Sequence, residues 1–573
     1  MLPSFNNLKQ NLKKPTNKFK KVNVALIGDS TTNFLATAIK GLGFEYRLKV
    51  NLFESDYNQI EQLVMNNSSE LYKFNAEYVI LFQSSLKLLN KVGDSSGYDK
   101  LVKERIDFIK VVAKKINSKV ICLNYPEIDD LIFGSYASKV NESFVYQLRK
   151  LNLELMNLSQ THQNLFICDI ASLQNKYGRD SIFSPQLYVS FDLVFSIDFL
   201  PHIADKIISI INSLNGSLKK CIVLDLDNTL WGGVIGDDGI EGIQIGNDLG
   251  IGKAFHEFQK WIKKLKSRGI IIAICSKNNE ETAKEPFLNH PDMVLNLEDI
   301  SVFIANWENK VDNIKQIQSI LNIGFDSMVF IDDNPMERAI VQENIPEILV
   351  PDLPKDPSEY LEFFYGLNIF EIASLSNNDT KRTKQYKEEA NRITFKKQYA
   401  DEKSFLKSIK MVASFSQFDS YNIPRVAQLS QRTNQFNLTT IRYTEDEIFK
   451  ISNDKNYQNL AISLKDKFGN YGLICVIILK KSKNKTLTIN SWFMSCRVIK
   501  RGLEDLALSK IIDYCKENNY IRIIGEYVQT HKNKVVENHY SNLGFKLLNK
   551  GNKTLYELKI EDYIKQICFI KPQ

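Results

Sequence analysis

Short apolar runs alternate with longer amphipathic stretches through the first part of the chain. Between Lys21 and about Ser217 the apolar runs are VNVALIG, EYVILF, KVICLNY and NLFICDI, and helical patterns such as TNFLATAIKGLG separate them. Strands that are apolar on both faces are typical of a parallel sheet covered by helices on each side. The pattern therefore predicts a doubly wound parallel sheet, and NSLNGSLKK, residues 212–220, is expected to be a linker.

A second alternating set begins at Cys221. The predicted strands are CIVLDLD, GIIIAICS and SMVFIDDNP, and the predicted helices between them are AFHEFQKWIKKLKSRG and NKVDNIKQIQSILNIG. The prolines of VPDLPKDP stop regular structure where this set closes. A second parallel α/β sheet is expected here.

The C-terminal part has a different pattern, which follows a polar, charge-rich stretch at about residues 377–400. Three consecutive strand candidates come first, then a helix, a strand, a short helix and a last strand, an order typical of α+β domains. At 573 residues the chain is longer than one hydrophobic core usually serves. We expect an α/β multidomain protein with domains at residues 1–217, 218–376 and 377–573.

Composition excludes several classes of protein. No uncharged apolar run approaches the roughly 20 residues of a membrane helix. The N-terminus lacks the apolar region of a secretory signal, so a cytoplasmic chain is expected. The net charge of +7 is mild, and the lysines are spread through all segments. Neither a nucleic acid nor a membrane is an expected partner.

The eight cysteines show no CxxC pair, and several lie in apolar runs, so most are expected to be buried free thiols. Cys496, in MSCRVIKRG, is the exception, because two arginines and a lysine follow it. Such a basic neighbourhood favours the reactive thiolate.

Polar residues follow each strand of the middle segment. In parallel α/β sheets, ligands bind beyond the carboxyl ends of the strands, so we expect these side chains to converge. They are Asp225, Asp227 and Thr229 after the first strand, Ser276 and Lys277 after the second, Asp332 and Asp333 after the third, and Lys310 at the start of a helix.

This set of residues predicts a metal-dependent phosphoryl-transfer site. Four carboxylates repel one another unless a cation lies among them, and hard oxygen donors suit Mg²⁺. Asp225 is the expected nucleophile on phosphorus and Asp227 the expected general acid and base. The expected metal ligands are Asp225, Asp227, Asp332 and Asp333, and the expected phosphate-binding residues are Thr229, Ser276, Lys277 and Lys310.

The chain resembles the haloacid dehalogenase (HAD) superfamily in the order of its motifs, which are DxDxT, a Ser at a strand end, a Lys and DD. Members of that superfamily are mostly Mg²⁺-dependent phosphohydrolases with a Rossmann-like parallel sheet. From about Lys220 to Asn549 the chain also resembles the FkbH-like proteins. The strings that carry this resemblance are DLDNTLWGGVIGDDG, ICSKNN, NWENK, FIDDNPMER, QRTNQFNLTTIRYT, DKFGNYGLI and MSCRVIKRGLE. Residues 231–238 are expected to be a flap over the site or a tight hairpin.

The FkbH resemblance implies a substrate and a partner. Such proteins are thought to take the phosphoglyceryl group of 1,3-bisphosphoglycerate as an enzyme thioester, remove its phosphate and pass the glyceryl unit to an acyl carrier protein. Either polyketide or surface-polysaccharide biosynthesis fits this activity. Cys496 is the expected thioester position, with a buried structural cysteine as the alternative.

The C-terminal segment resembles the GNAT acyltransferase fold, where a helix N-terminus holds the pyrophosphate of coenzyme A. The usual glycine-rich loop is replaced here by Arg497, Lys500, Arg501 and Gly502, and a phosphopantetheine arm fits as well as coenzyme A. The residues expected to bind the acyl or pantetheine group are Arg497, Arg501, Gly502, His531 and Asn533.

The N-terminal segment resembles the SGNH hydrolases, which have a flavodoxin-like sheet. Its GDS ends at Ser30, and Asp198 and His202 lie near its end. A Ser nucleophile with a His base is viable chemistry. Because the block after the third strand is FQSS instead of an Asn-bearing one, a non-catalytic docking domain is the preferred prediction.

Three functions therefore stand at this point. The first is a glyceryl-loading enzyme, the second a plain phosphatase of sugar or nucleotide phosphates, and the third a non-enzymatic scaffold for carrier proteins. We rank the scaffold last, because a structural metal site needs no phosphate-binding residues.

Overall fold

The structure is a computed structural model. It describes residues 2–17, 19–56, 59–93, 98–372 and 385–573, except for residues 387, 390, 391, 393, 394, 397, 531 and 552. The chain divides into two compact units, Met1–Asn212 and Ser213–Gln573. Within the described ranges, no helix is both long and apolar enough to cross a membrane.

The first unit contains a five-stranded parallel sheet in the order β2-β1-β3-β4-β5, which is the flavodoxin-like order. Its strands are β1 (Lys20–Gly28), β2 (Leu48–Glu54), β3 (Tyr78–Phe82), β4 (Lys119–Leu123) and β5 (Leu165–Cys168). The α-helices are Phe5–Asn11, Asn33–Glu45, Ile60–Met65, Glu70–Phe74, Ser85–Gly93, Tyr98–Lys115, Phe144–Thr161, Ile170–Tyr177, Arg179–Ile182, Pro185–Phe191 and Leu200–Leu214, and the 3₁₀ helices are Gly134–Lys139 and Ile197–Phe199. The predicted doubly wound sheet is confirmed.

The second unit contains two separate sheets. The first is parallel, in the order β8-β7-β6-β9, with strands β6 (Cys221–Leu224), β7 (Ile271–Ser276), β8 (Ile300–Ala305) and β9 (Met328–Ile331). Its α-helices are Ile235–Gly242, Ile251–Ser267, Glu280–Asn289, Lys310–Leu321, Pro335–Asn344 and Tyr360–Leu367, and its 3₁₀ helices are Phe325–Ser327 and Pro357–Glu359. We call this the central sheet.

The other sheet of this unit is mixed, in the order β15-β16-β14-β13-β12-β11-β10-β17. Its strands are β10 (Val412–Ser416), β11 (Tyr457–Lys465), β12 (Asn470–Ser482), β13 (Thr486–Met494), β14 (Arg522–Tyr527), β15 (Lys546–Asn549), β16 (Thr554–Lys559) and β17 (Lys571–Pro572). The α-helices are Glu402–Ser408, Ile423–Arg432, Glu445–Asn453, Leu503–Glu517 and His539–Asn542, and the 3₁₀ helices are Cys496–Val498, Lys534–Val536 and Ile560–Asp562. An α+β C-terminal part is confirmed.

A short segment of the chain fills a gap in this mixed sheet. β13 and β14 pair in parallel only from Thr486 to Ile489 on β13. Beyond that point residues 436–438 lie between the two strands: the Leu438 amide donates to the Trp492 carbonyl at 3.0 Å, and the Val528 amide donates to the Leu438 carbonyl at 2.8 Å. Residues 436–438 thus provide hydrogen-bond partners for backbone groups of β13 and of the residues after β14, which no longer pair with each other at this point.

The C-terminal part contacts the central sheet at the amino ends of its strands. Lys220 directly precedes β6 and donates from Nζ to the Arg432 carbonyl at 2.8 Å. Asp326 lies just before β9, and its carboxylate is 2.5 Å from Lys532 Nζ. The carboxyl ends of the same two strands are therefore left on the opposite edge of the sheet.

Candidate active site

Three carboxylates converge where β6 and β9 end. These strands are parallel neighbours with Leu224 opposite Ile331, so the next residues, Asp225 and Asp332, lie side by side. Carboxylate oxygens of Asp225, Asp332 and Asp333 all lie within 4.8 Å of one another. Asp227, the fourth expected metal ligand, is outside this group, which corrects that part of the prediction.

A buried ammonium neutralises part of this charge. Lys310 is the first residue of helix Lys310–Leu321, and its Nζ lies 2.6 Å from Asp332 Oδ2 and 3.0 Å from Asp225 Oδ1. Burial alone lowers the pKa of Lys310, but the two carboxylates outweigh it and raise that pKa above its usual value. Lys310 is therefore a fixed positive charge.

The remaining negative charge fits a divalent cation. Asp225 Oδ1 is buried, and no hydrogen-bond donor of the described residues reaches it with suitable geometry, although Lys310 is close. Burial raises the pKa of Asp225, Asp332 and Asp333, against the opposing effect of Lys310. Three carboxylates around a single ammonium keep a net negative charge, and carboxylate oxygens are a donor set that suits Mg²⁺.

Thr229 orients one of these carboxylates. Its hydroxyl donates to Asp333 Oδ1 at 3.2 Å and accepts from the Asp333 amide at 3.1 Å. Arg338, which sequence reasoning missed, donates from Nη1 to the carbonyls of Asp332 and Asp333 at 2.8 and 2.7 Å. The turn that carries both acids is thus fixed from two sides.

Asp227 accepts three hydrogen bonds. Its Oδ1 accepts from Trp231 Nε1 and from the Ile235 amide, both at 3.0 Å, and its Oδ2 accepts from Asn278 Nδ2 at 2.8 Å. Asn278 was not predicted as a site residue, and Trp231 was expected only as the first residue of a flap or hairpin, not as a partner of Asp227. Trp231 is four residues after Asp227, and Asn278 is two residues after Ser276. This closeness to predicted site residues is the sequence signal that could have identified both contacts.

The two residues that end the second strand behave differently. Ser276 is buried, and its hydroxyl accepts from Asn278 Nδ2 at 3.4 Å. Lys277 is part exposed, and its Nζ lies 2.6 Å from Glu337. One of the three ammonium donors of Lys277 is therefore engaged by Glu337, which leaves the others for the expected phosphate contact.

Comparisons with known proteins bear on this site. The model of the FkbH N-terminal domain family matches residues 23–212. The crystal structure of the N-terminal part of BF1531 from Bacteroides fragilis, which contains a phosphatase domain complexed with Mg, is 54% identical, with a TM-score of 0.64. The match covers 65% of this chain and 100% of that one. The chain belongs to the FkbH-like family.

Shorter matches cover 26% of this FkbH-like chain. They include the ribosomal-protein-S18-alanine N-acetyltransferase of Escherichia coli, 14% identical over 94% of that chain with a TM-score of 0.21. A GNAT-family acetyltransferase of Staphylococcus aureus is 16% identical over 99% of its chain with a TM-score of 0.22. A comparison with the curated proteins gives no match.

Both arginines predicted to bind an acyl or pantetheine group in this FkbH-like protein are paired, and Arg497 is buried whereas Arg501 is partly buried. Arg497 donates to Gln385, and Arg501 donates to Tyr471 and to Glu389. Part of the donor capacity of both guanidinium groups is therefore already used by the chain's own side chains.

The other predicted C-terminal residues are placed as follows. Gly502 caps helix Leu503–Glu517 at a φ of 82°, in the left-handed region. Asn533 is fully buried; its Nδ2 donates to the Asn437 and Val528 carbonyls at 3.1 and 2.9 Å, and its Oδ1 accepts from the Thr530 amide at 2.7 Å. Asn533 thus holds residues 436–438, which lie between β13 and β14, and does not face a ligand. This corrects its expected role in binding an acyl or pantetheine group. His531 lies outside the described residues.

Cys496 is partly exposed. It begins a 3₁₀ helix, and its carbonyl accepts from Asn322 Nδ2 at 2.8 Å. Of the eight cysteines, all of them described, only Cys496 and Cys568 are not buried.

The N-terminal triad expected from an SGNH resemblance is not assembled. Ser30 Oγ donates to Asp29 Oδ1 at 3.1 Å, and the His202 ring packs against Tyr177 with centroids 4.5 Å apart. Asp198 is exposed. No hydrogen bond joins Ser30, Asp198 and His202, which are all described, so a serine-hydrolase mechanism lacks its geometry here.

Proposed function

We propose that this protein is a Mg²⁺-dependent HAD-type phosphatase that also loads a glyceryl unit from 1,3-bisphosphoglycerate onto an acyl carrier protein. The observation that carries the proposal is the group of three carboxylates around the buried Lys310 ammonium. The Mg-bound phosphatase domain of the B. fragilis relative supports the metal and the phosphate chemistry.

The phosphatase step uses Asp225 and Asp227. The Asp225 carboxylate attacks phosphorus and forms an aspartyl phosphate, while the bond from phosphorus to the leaving oxygen breaks. Asp227 gives its proton to that oxygen, then takes a proton from the water that hydrolyses the aspartyl phosphate. Asp225, Asp332 and Asp333 would hold Mg²⁺, which would supply positive charge to the phosphoryl oxygens.

The transfer step uses Cys496. Its thiolate attacks the acyl-phosphate carbonyl of 1,3-bisphosphoglycerate, a carbon–sulfur bond forms, and inorganic phosphate leaves. The thiol of a carrier's phosphopantetheine arm then attacks the thioester and releases the Cys496 thiolate. The partial exposure of Cys496 supports this choice, because six of the other seven cysteines are buried.

The distance between the two sites supports a mobile carrier. Helix Lys310–Leu321 has 12 residues and spans about 18 Å. Lys310 at its start contacts Asp225, whereas Asn322 after its end contacts the backbone of Cys496. An acyl group on Cys496 needs a flexible arm to reach the carboxylates.

Intact-protein mass spectrometry with a synthetic triose acyl phosphate, Mg²⁺ and a carrier protein tests the proposal, together with phosphate release. We expect a thioester adduct in wild type, no adduct in Cys496→Ala, and an unchanged adduct in the matched control Cys568→Ala. Asp225→Asn is expected to retain the distal phosphate on the product.

Two outcomes contradict the proposal in different ways. Phosphate release from generic sugar phosphates without any Cys496 adduct supports a plain phosphatase instead. Equal phosphate release by wild type and Asp225→Asn excludes the phosphatase assignment itself.

A further inference from the structure

The side-chain contacts of Asp227 distinguish its two oxygens. Among the residues that the structure describes, Oδ1 accepts from two donors, Trp231 Nε1 and the Ile235 amide, whereas Oδ2 accepts from Asn278 Nδ2 alone. A carboxylate oxygen has two lone-pair sites, so Oδ1 is fully used and Oδ2 keeps one site. Of the two oxygens, Oδ2 is therefore the one with a site left for a contact with substrate.

Trp231 is held rigidly in this arrangement. Its side chain is fully buried and packs edge-on against Phe287 with centroids 5.8 Å apart. The backbones of Asp227 and Trp231 also form a parallel bridge, which fixes the distance between the two residues. A buried indole N–H that keeps a single acceptor is a strong constraint on the rotamer of Asp227.

Asn278 links Asp227 to the phosphate side of the site. It is buried, and its Nδ2 donates to Asp227 Oδ2 and, at the longer distance of 3.4 Å, to Ser276 Oγ. Ser276 ends β7, which pairs in parallel with β6, the strand that Asp225 follows. One amide thus contacts both the side chain of Asp227 and the last residue of the strand beside Asp225.

We propose that Trp231 and Asn278 are positioning residues that aim Oδ2 of Asp227 at the leaving oxygen of a phosphate ester. The inference rests on the proposed phosphatase function and adds two residues and a specific oxygen to it. It implies that this enzyme is built for poor leaving groups, such as the alkoxide of a phosphorylated hydroxy acid, which need a proton as the bond to phosphorus breaks.

The test compares two substrates that differ in their need for a general acid. One is an alkyl phosphate monoester, and the other is p-nitrophenyl phosphate, whose leaving group departs as the anion. We expect Trp231→Phe, which keeps a ring but removes the N–H, to lower kcat on the alkyl phosphate by about 10- to 100-fold with KM unchanged. On p-nitrophenyl phosphate we expect a change of less than about threefold.

A matched control and a second variant protect the test from a folding defect. Trp261→Phe makes the same replacement at a tryptophan whose ring stacks on Phe364, with centroids 5.0 Å apart. This variant is expected to have the wild-type kcat on both substrates. Asn278→Leu removes the donor to the other oxygen and is expected to show the same selectivity for the alkyl phosphate.

A double variant separates positioning from a general structural role. In an Asp227→Asn background, Trp231→Phe is expected to cause no further loss of kcat, because it acts through Asp227. Equal losses on both substrates, or an additive loss in the double variant, overturn the inference. A wild-type protein that releases phosphate from neither substrate overturns the proposed function instead.

Discussion

Lys310 Nζ lies 2.6 Å from Asp332 Oδ2, and the same ammonium is 3.0 Å from Asp225. One buried cation thus serves two buried acids that end neighbouring strands. The arrangement depends on the lysine as much as on the acids, because removing one partner from a buried group of charges leaves the others uncompensated.

Replacing Lys310 by Met is expected to destabilise the metal-free protein by about 3–5 kcal/mol. Mg²⁺ is expected to restore more stability to this variant than to wild type, since the cation then replaces the missing positive charge. Thermal unfolding across a Mg²⁺ titration measures both effects.

The matched control is Lys315→Met on the same helix. Lys315 is exposed and 3.4 Å from Asp312, so its loss is expected to cost less than about 1 kcal/mol. Equal effects of the two substitutions would show that the Lys310 contacts do not stabilise the fold.

His539 is expected to make stability depend on pH. Burial lowers the pKa of His539 to about 3, from the usual 6.5. Below pH 6.5 the unfolded chain binds a proton that the folded chain does not, so stability falls as the pH falls. The slope is about 1.4 kcal/mol per pH unit, or about 2 kcal/mol between pH 6.5 and 5.

Denaturant unfolding followed by tryptophan fluorescence tests this, because the His539 ring lies 4.6 Å from Trp492. We expect His539→Phe to lose this part of the pH dependence and His290→Gln to keep it. A wild-type slope equal to that of His539→Phe contradicts the prediction.

Coenzyme A is expected not to bind the C-terminal part. The Lys500 amide at the start of helix Leu503–Glu517 already donates to Glu504 Oε1 at 2.9 Å, and Glu389 engages Arg501. Little donor capacity is left there for a pyrophosphate. We expect no change in Tm on addition of coenzyme A; a saturable increase contradicts this.

Ser30 is expected not to react with an alkyl fluorophosphonate, which labels activated serines. Its hydroxyl donates to Asp29, whose pKa is raised to about 6 by burial, and no imidazole is bonded to it. Mass spectrometry of the treated protein, with a serine hydrolase as positive control, measures this. Labelling that disappears in Ser30→Ala contradicts the prediction.

Much of the fold follows from local patterns. The strands β6, β7 and β9 are short apolar runs, and acids or a serine follow each of them, which fixes the edge where Asp225, Asp332 and Asp333 meet. Strand ends of a parallel sheet share one edge, so this proximity needs no long-range information.

Other features depend on contacts that spacing does not encode. The Lys277–Glu337 ion pair and the hydrogen bond from Asn278 to Asp227 join loops about 50 to 60 residues apart. The adjacent residues Lys277 and Asn278 therefore contact different parts of the site, and the sequence alone does not show which contacts which. The insertion of residues 436–438 between β13 and β14 likewise depends on tertiary pairing, since the segment has no strand pattern of its own.

The placement of the C-terminal part against the amino ends of β6 and β9 has a consequence for how such a protein changes over time. The loops that follow these strands can vary in sequence without disturbing the contact, and the contact can vary without altering the phosphate chemistry. Selection can therefore adjust the residues around the carboxylates and those of the C-terminal part separately, which also makes each half a target for independent engineering.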